Sequence, residues 1–235
     1  MHEASHAILE TMMKETLDPN DGAYSVAALT PLKKSPLAGK TFYWLGSSVT
    51  LGLFAFNEGL PDFLAKHQGC TCLKEAVSGT TLRQENPNDD SYLSRLRRSK
   101  SFDPKAPIDG FLIQASTNDC WDQRKIGSPD NPDPQTTYGG LRAILSYVKA
   151  TWDCPIYVIT GSYYPDLNSL NYGAFIDTLS RLSGSYGFLL IDLWYDPVLR
   201  KQEKELALAM HDGIHPYRKG YRDYWLPRLE AALKS

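Results

Sequence analysis

Charge of one sign is scarce in this chain: 25 Lys and Arg stand against 27 Asp and Glu, a formal net charge of −2 over 235 residues. So close a balance leaves no electrostatic footprint for nucleic acid or an anionic membrane surface. One short basic cluster, Arg95-Leu96-Arg97-Arg98-Ser99-Lys100, falls at an expected helix end. A solvated face is the main reading there, and a contact to phosphate or an anionic substrate the other. Cysteine is also sparse, with four at positions 70, 72, 120 and 154. Cys70-Thr71-Cys72 is too tight for the common two-residue zinc spacing and has no second pair. The expectation is reduced thiols in or near strands, which suits a cytosolic protein. No apolar run reaches the roughly 18–20 residues needed to cross a bilayer, and no basic-then-apolar leader opens the chain. A soluble, cytoplasmic protein without a nucleic-acid or membrane partner is therefore expected. Internal repeats and low-complexity tracts are missing as well.

What is present is an ordinary globular composition, 42% hydrophobic and 22% charged, at a length that fits one domain with a full core. Five segments are apolar at nearly every position, the pattern of parallel strands buried on both faces. They are Phe42 to Leu45, Lys74 to Val77, Phe111 to Gln114, Ile156 to Thr160 and Phe188 to Asp192. Between them run helical spacings: Leu141, Ile144, Leu145 and Val148, then Tyr172, Phe175, Ile176 and Leu179. Strand alternating with helix predicts a three-layer α/β/α sandwich on a five-stranded parallel sheet, with ligands at the carboxyl ends of the strands. Residues 1–38 form an N-terminal extension with a helix predicted over Ala4 to Leu17. It either packs on the same domain or reaches out as an arm over the site or toward a second copy in a homo-oligomer. The domain proper is 39–235.

Three candidate residues sit just past strand ends. Ser48 follows the first strand in Gly46-Ser47-Ser48, Gly79 follows the second, and Asn118 follows the third in Ser116-Thr117-Asn118-Asp119. The chain then closes on Asp212-Gly213-Ile214-His215. A serine hydroxyl becomes a competent nucleophile when a base removes its proton, and a carboxylate fixes that base's tautomer. Each residue also has a plainer reading. Ser48 can cap the next helix, Gly79 can serve a tight turn, Asn118 can cap, and Asp212 can cap the last helix.

In that order, Ser48, Gly79, Asn118 and His215 resemble the signature residues of the SGNH (GDSL-type) hydrolases, over roughly residues 40 to 232. The resemblance implies a flavodoxin-like sandwich and a serine esterase that needs neither cofactor nor metal. It implies Ser48, His215 and Asp212 as the catalytic triad. Ser48 and Gly79 N–H groups with the Asn118 amide would then form the oxyanion hole. The family's usual Gly-Asp-Ser reads Gly46-Ser47-Ser48 here, and its Gly-x-Asn-Asp lacks the glycine; both departures bear on the substrate subclass. Ser47, Trp121, Arg124 and Tyr163 are candidate substrate contacts; Trp121 and Arg124 lie in the Pro-rich stretch Ser116 to Tyr138 that follows the third strand, and either touch substrate or simply pack that loop down. The aromatic supply, 14 Tyr and 5 Trp, suits stacking on a sugar or aryl group. The expectation is a short-chain, acetyl-type ester of a small molecule or carbohydrate. A lysophospholipase- or thioesterase-type acyl hydrolase and a non-catalytic binding module on the same fold are the rivals.

Two further constellations compete. His2-Glu3-Ala4-Ser5-His6 matches the zinc-protease helix pattern, but at a chain terminus with no third ligand at an evident spacing. His211 and His215 could share a metal, yet the serine reading uses more residues; His211 is then expected to shape its loop. His67, at a helix end, is expected to complement the helix dipole.

Overall fold

In the computed structural model, residues 18–122, 125–165, 169–201, 206 and 208–234 are described. Five strands, β1 (Thr41–Gly46), β2 (Thr71–Ala76), β3 (Gly110–Gln114), β4 (Ile156–Ile159) and β5 (Leu189–Ile191), form one parallel sheet in the order β2-β1-β3-β4-β5. Helices cross between them: α1 (Ser48–Leu51), α2 (Leu60–Gln68), α3 (Tyr92–Arg98), α4 (Thr137–Thr151), α5 (Ser169–Tyr186) and α6 (Pro197–Arg200). A π-type turn, Gly220–Trp225, leads into the final helix α7 (Leu226–Lys234). This is the expected α/β/α sandwich.

Alternation along the central strands feeds two cores, one on each face of the sheet. Tyr43, Leu45, Phe111 and Ile113 pack with Leu93, Leu141, Ile144, Phe175 and Leu179 from α3, α4 and α5. Phe42, Trp44 and Leu112 pack the other way, against Phe63 and Leu64 of α2 and Tyr221, Trp225 and Leu229 at the C-terminal end. The predicted helical faces of α4 and α5 are those that face the sheet. A ring cluster anchors the first core: Tyr43 stacks on Phe102 at 4.5 Å and meets Trp152 edge-on at 5.6 Å, geometries that add about 0.5–1.5 kcal/mol each beyond burial.

The central strands agree with the sequence reading and the edges depart from it. β2 begins three residues before the expected Lys74, because its ladder with β1 runs from Thr41↔Thr71 to Gly46↔Ala76. It has one neighbour and is only half-buried, so no continuous apolar run marks its start. β5, the other edge, shortens to Leu189–Ile191 and exposes Leu189.

Residues 18–38 pack onto the domain. Leu37 joins the second core, and Asn20 donates to the Phe54 carbonyl while accepting from the Arg218 N–H. The helix predicted over Ala4 to Leu17 and the His2–His6 pattern lie outside the described residues. All four cysteines are free, Cys70 and Cys120 buried. Among the described residues no helix is long and apolar enough to cross a membrane. His67 does sit in the last turn of α2, but its ring also pairs with Glu230 of α7.

From β1 the chain runs outward to β2 on one side, and β3 lies on the other. The sheet therefore reverses its winding at β1/β3, where ligands of doubly wound sheets bind.

Candidate active site

The turn after β1 is built so that the Ser48 hydroxyl is not consumed locally. Gly46 ends the strand, and any Cβ there would lie inside the Thr50 side chain. Helix α1 starts at Ser48, and Ser47 makes no side-chain cap. The exposed amide donors of a helix start need an acceptor, and Gln114 at the end of β3 supplies it. Its Oε1 accepts from Ser47 N–H at 3.0 Å, Thr50 N–H at 3.2 Å and the Thr50 hydroxyl at 2.7 Å. Ser48 Oγ instead lies 2.8 Å from His215 Nε2.

The histidine loop folds onto its own aspartate. Asp212 Oδ1 accepts from Ile214 N–H at 3.0 Å and His215 N–H at 2.9 Å, and its Oδ2 lies 2.8 Å from His215 Nδ1. Asp212 therefore turns the loop and faces the imidazole, and caps no helix. A bridge between Met210 and Pro216 and a bond from His211 N–H to the His215 carbonyl close the loop. Gly213 takes φ +82° at its tip, a conformation that favours glycine. Partial burial pushes the Asp212 carboxyl up, but the His215 N–H, the imidazole and the Ile214 N–H outweigh it and hold the group below the ordinary carboxylate value. Phe54 forms a wall: its ring stacks on His211 at 3.7 Å and meets His215 edge-on at 5.2 Å. His211 shapes the loop as expected, its Nδ1 2.8 Å from the Tyr217 hydroxyl.

Gly79 lies in the exposed turn after β2 with φ +77°, and an added Cβ would meet nothing within 4 Å. Backbone conformation, not space, selects glycine there. Asn118 sits in a single 3-10 turn, Thr117–Trp121, after β3. Its Nδ2 donates to the Thr80 carbonyl at 3.0 Å, as does the Ser116 hydroxyl. A side-chain amide has two N–H hydrogens, so this bond sets the amide plane and leaves one hydrogen for a ligand.

The other candidates separate. Ser47 is 1% exposed, with its N–H and hydroxyl both turned to Gln114; a substrate contact is not open to it. Trp121 is 62% exposed, so it does not pack the loop down. Arg124 lies outside the described residues. Tyr163 lines a cavity of about 310 Å³ beside the histidine loop, with Ser162, Pro165, Met210, His211 and Asp212. Among the described residues no three His, Cys, Asp or Glu side chains are grouped to hold a metal.

Three residues with no site role in the sequence reading support the site. Gln114 is one. Asp119 is fully buried, accepting from Leu82 N–H, Arg83 N–H and the Thr137 hydroxyl; burial raises its carboxyl to about 6 against the pull of those donors and of Arg83. Arg95 corrects the expectation of a solvated basic face. Arg97, Arg98 and Lys100 are exposed, but Arg95 is 5% exposed and donates to the Gly46 carbonyl at 2.7 Å. One turn of α3 is enough to put it under the site while its neighbours stay in water.

Comparison with known proteins gives the family and the fold. The model of the GDSL-like lipase/acylhydrolase family matches residues 44–222. No curated protein sequence matches the chain. Solved structures of similar fold include an alpha/beta hydrolase enzyme from the metagenome of Lake Arreo, Spain, at 18% identity, with a TM-score of 0.61 over 84% of this chain and 96% of that one. A phospholipase A1 from Streptomyces albidoflavus follows at 13% identity, TM-score 0.59, over 83% of this chain and 100% of its own. An acetylxylan esterase from Geobacillus stearothermophilus, as a catalytic mutant, shares 16% identity and a TM-score of 0.57 over 86% and 94%. At such identities the likeness is one of fold.

Proposed function

Since the chain belongs to the GDSL-like lipase/acylhydrolase family and is a hydrolase, we propose that it cleaves short-chain carboxylic esters through Ser48, His215 and Asp212. The observation that carries this is the unbroken chain of contacts from Ser48 Oγ to His215 Nε2 at 2.8 Å and from His215 Nδ1 to Asp212 Oδ2 at 2.8 Å. With Nδ1 donating to the carboxylate, Nε2 is the basic nitrogen, aimed at the hydroxyl it must deprotonate.

His215 takes the Ser48 proton as Oγ bonds to the ester carbonyl carbon. The carbonyl oxygen becomes an oxyanion, received by the N–H groups of Ser48 and Gly79 and the Asn118 amide. The imidazolium, steadied by Asp212, returns the proton to the leaving alcohol as the C–O bond breaks. Water then enters by the same route, His215 takes its proton, and collapse releases the acid and restores Ser48. Pre-aimed donors of this kind are each worth about 100- to 1000-fold in rate.

For the alcohol part, the cavity beside Asp212 supports a polyhydroxylated group such as a sugar, since Ser162, His211 and Tyr163 combine hydrogen-bonding groups with a ring. A second reading, an acyl hydrolase for longer chains, is favoured by apolar side chains on the segments that follow β1, β2 and β3. Leu53 is 42% exposed, Phe56 69%, Val77 38% and Trp121 62%. Fold neighbours named as a phospholipase and an acetylxylan esterase are compatible with either reading. The test is kcat/KM for nitrophenyl esters from acetate to decanoate and for an acetylated sugar, with Ser48→Ala as blank. A maximum at two to four carbons with release of acetate from the sugar supports the first reading; a steady rise with chain length transfers the assignment to the second.

A further inference from the structure

The three donors of the oxyanion hole come from three separate loops, after β1, β2 and β3, and something must hold those loops in register. We propose that Arg95 is the positioning residue that does so, an inference that rests on the catalytic reading above. A single guanidinium nitrogen, Nη2, donates to the Gly46 carbonyl at 2.7 Å and to Thr80 Oγ1 at 3.2 Å. Gly46 lies two residues before Ser48, and Thr80 immediately follows Gly79. Thr80 passes the link to the third loop, because its carbonyl takes both Asn118 Nδ2 and Ser116 Oγ at 3.0 Å.

The clamp is itself clamped. Arg95 Nε donates to the Asp90 carbonyl at 2.9 Å, Nη1 lies 3.4 Å from Glu75 Oε1, and the guanidinium carbon sits 5.3 Å over the Tyr92 ring. Five donors in one rigid plane can satisfy carbonyl, hydroxyl and carboxylate acceptors together, which an ammonium on a flexible stem cannot.

The test compares Arg95→Met, which keeps the stem, and Arg95→Lys, which keeps the charge without the fork, by kcat, KM, the rate of phosphonylation of Ser48 and the thermal midpoint. In Arg95→Met, kcat falls about 100-fold and phosphonylation falls in parallel, with KM within about threefold. Arg95→Lys loses about tenfold. Thr80→Val cuts the same link from its other end and loses about tenfold in kcat; with Arg95→Lys it carries the test if Arg95→Met does not fold. Folded variants that keep wild-type kcat and phosphonylation, or that lose only KM, would overturn the proposal. A wild-type protein that does not react with the phosphonate would overturn the nucleophile assignment, and this proposal with it.

Discussion

Replacing Gln114 by Met is the most informative single change to the scaffold. The two side chains are alike in length and volume, so packing is nearly conserved, but the acceptor that serves the nucleophile turn is gone. Ser47 N–H and Thr50 N–H, held at 3.0 and 3.2 Å in a region where Gln114 is 4% exposed, are left buried without a partner. Each orphaned donor costs about 1–3 kcal/mol, so the variant should lose about 2–6 kcal/mol; the Thr50 hydroxyl can rotate and adds little. For a chain of this size, about 3 kcal/mol corresponds to a fall in Tm of about 6–12 °C. Urea unfolding should show a lower midpoint with an unchanged slope. In the folded fraction kcat should fall about tenfold or more, since small displacements of a reacting group are costly. A loss under about 1 kcal/mol with kcat intact would refute the claim that Gln114 caps this helix from the neighbouring strand.

Other outcomes follow from the same geometry. Asn118→Ala should lower kcat about 100- to 1000-fold with little change in KM, read by steady-state kinetics. Asp212→Asn should lower kcat at least about 100-fold while KM for an activated ester stays close to wild type, because the imidazole loses its tautomer control. Asp119 gives a pH signature. Burial raises its carboxyl to about 6 in the folded protein, above the unfolded value, so its contribution is fully present below about pH 4 and is lost as pH rises through about 6. Over that window about two pH units at about 1.4 kcal/mol each amount to about 3 kcal/mol. Unfolding free energy of wild type relative to Asp119→Asn should therefore decline by up to that amount between pH 4 and pH 7; a rise would contradict it.

The central strands were legible because β1, β3 and β4 are covered by helices on both faces and so are apolar throughout. The edges were not: β2 has a single neighbour and mixed exposure, and Lys74 and Glu75 interrupt any apolar run along it. The candidate site was legible where the chemistry forces a residue type, as with Ser48, Asn118, Asp212 and His215. Its support was not. Gln114 reads as the last residue of a strand, and only the approach of β1 and β3 reveals four donors converging on it. Arg95 reads as part of a charged helix end, since nothing local distinguishes the one arginine that points under the sheet from the two that face water. Ser47 misled for the opposite reason. Adjacency to the nucleophile suggested a substrate contact, but successive residues at a strand end point to opposite sides, and Ser47 points inward.

The proposed chemistry stands on Ser48 being an activated nucleophile. Its most direct test is the intact mass of the protein after exposure to a fluorophosphonate, wild type beside Ser48→Ala, with circular dichroism showing both folded. One adduct is expected on wild type and none on the variant. Folded wild type without an adduct, or an adduct that persists in Ser48→Ala, would contradict it.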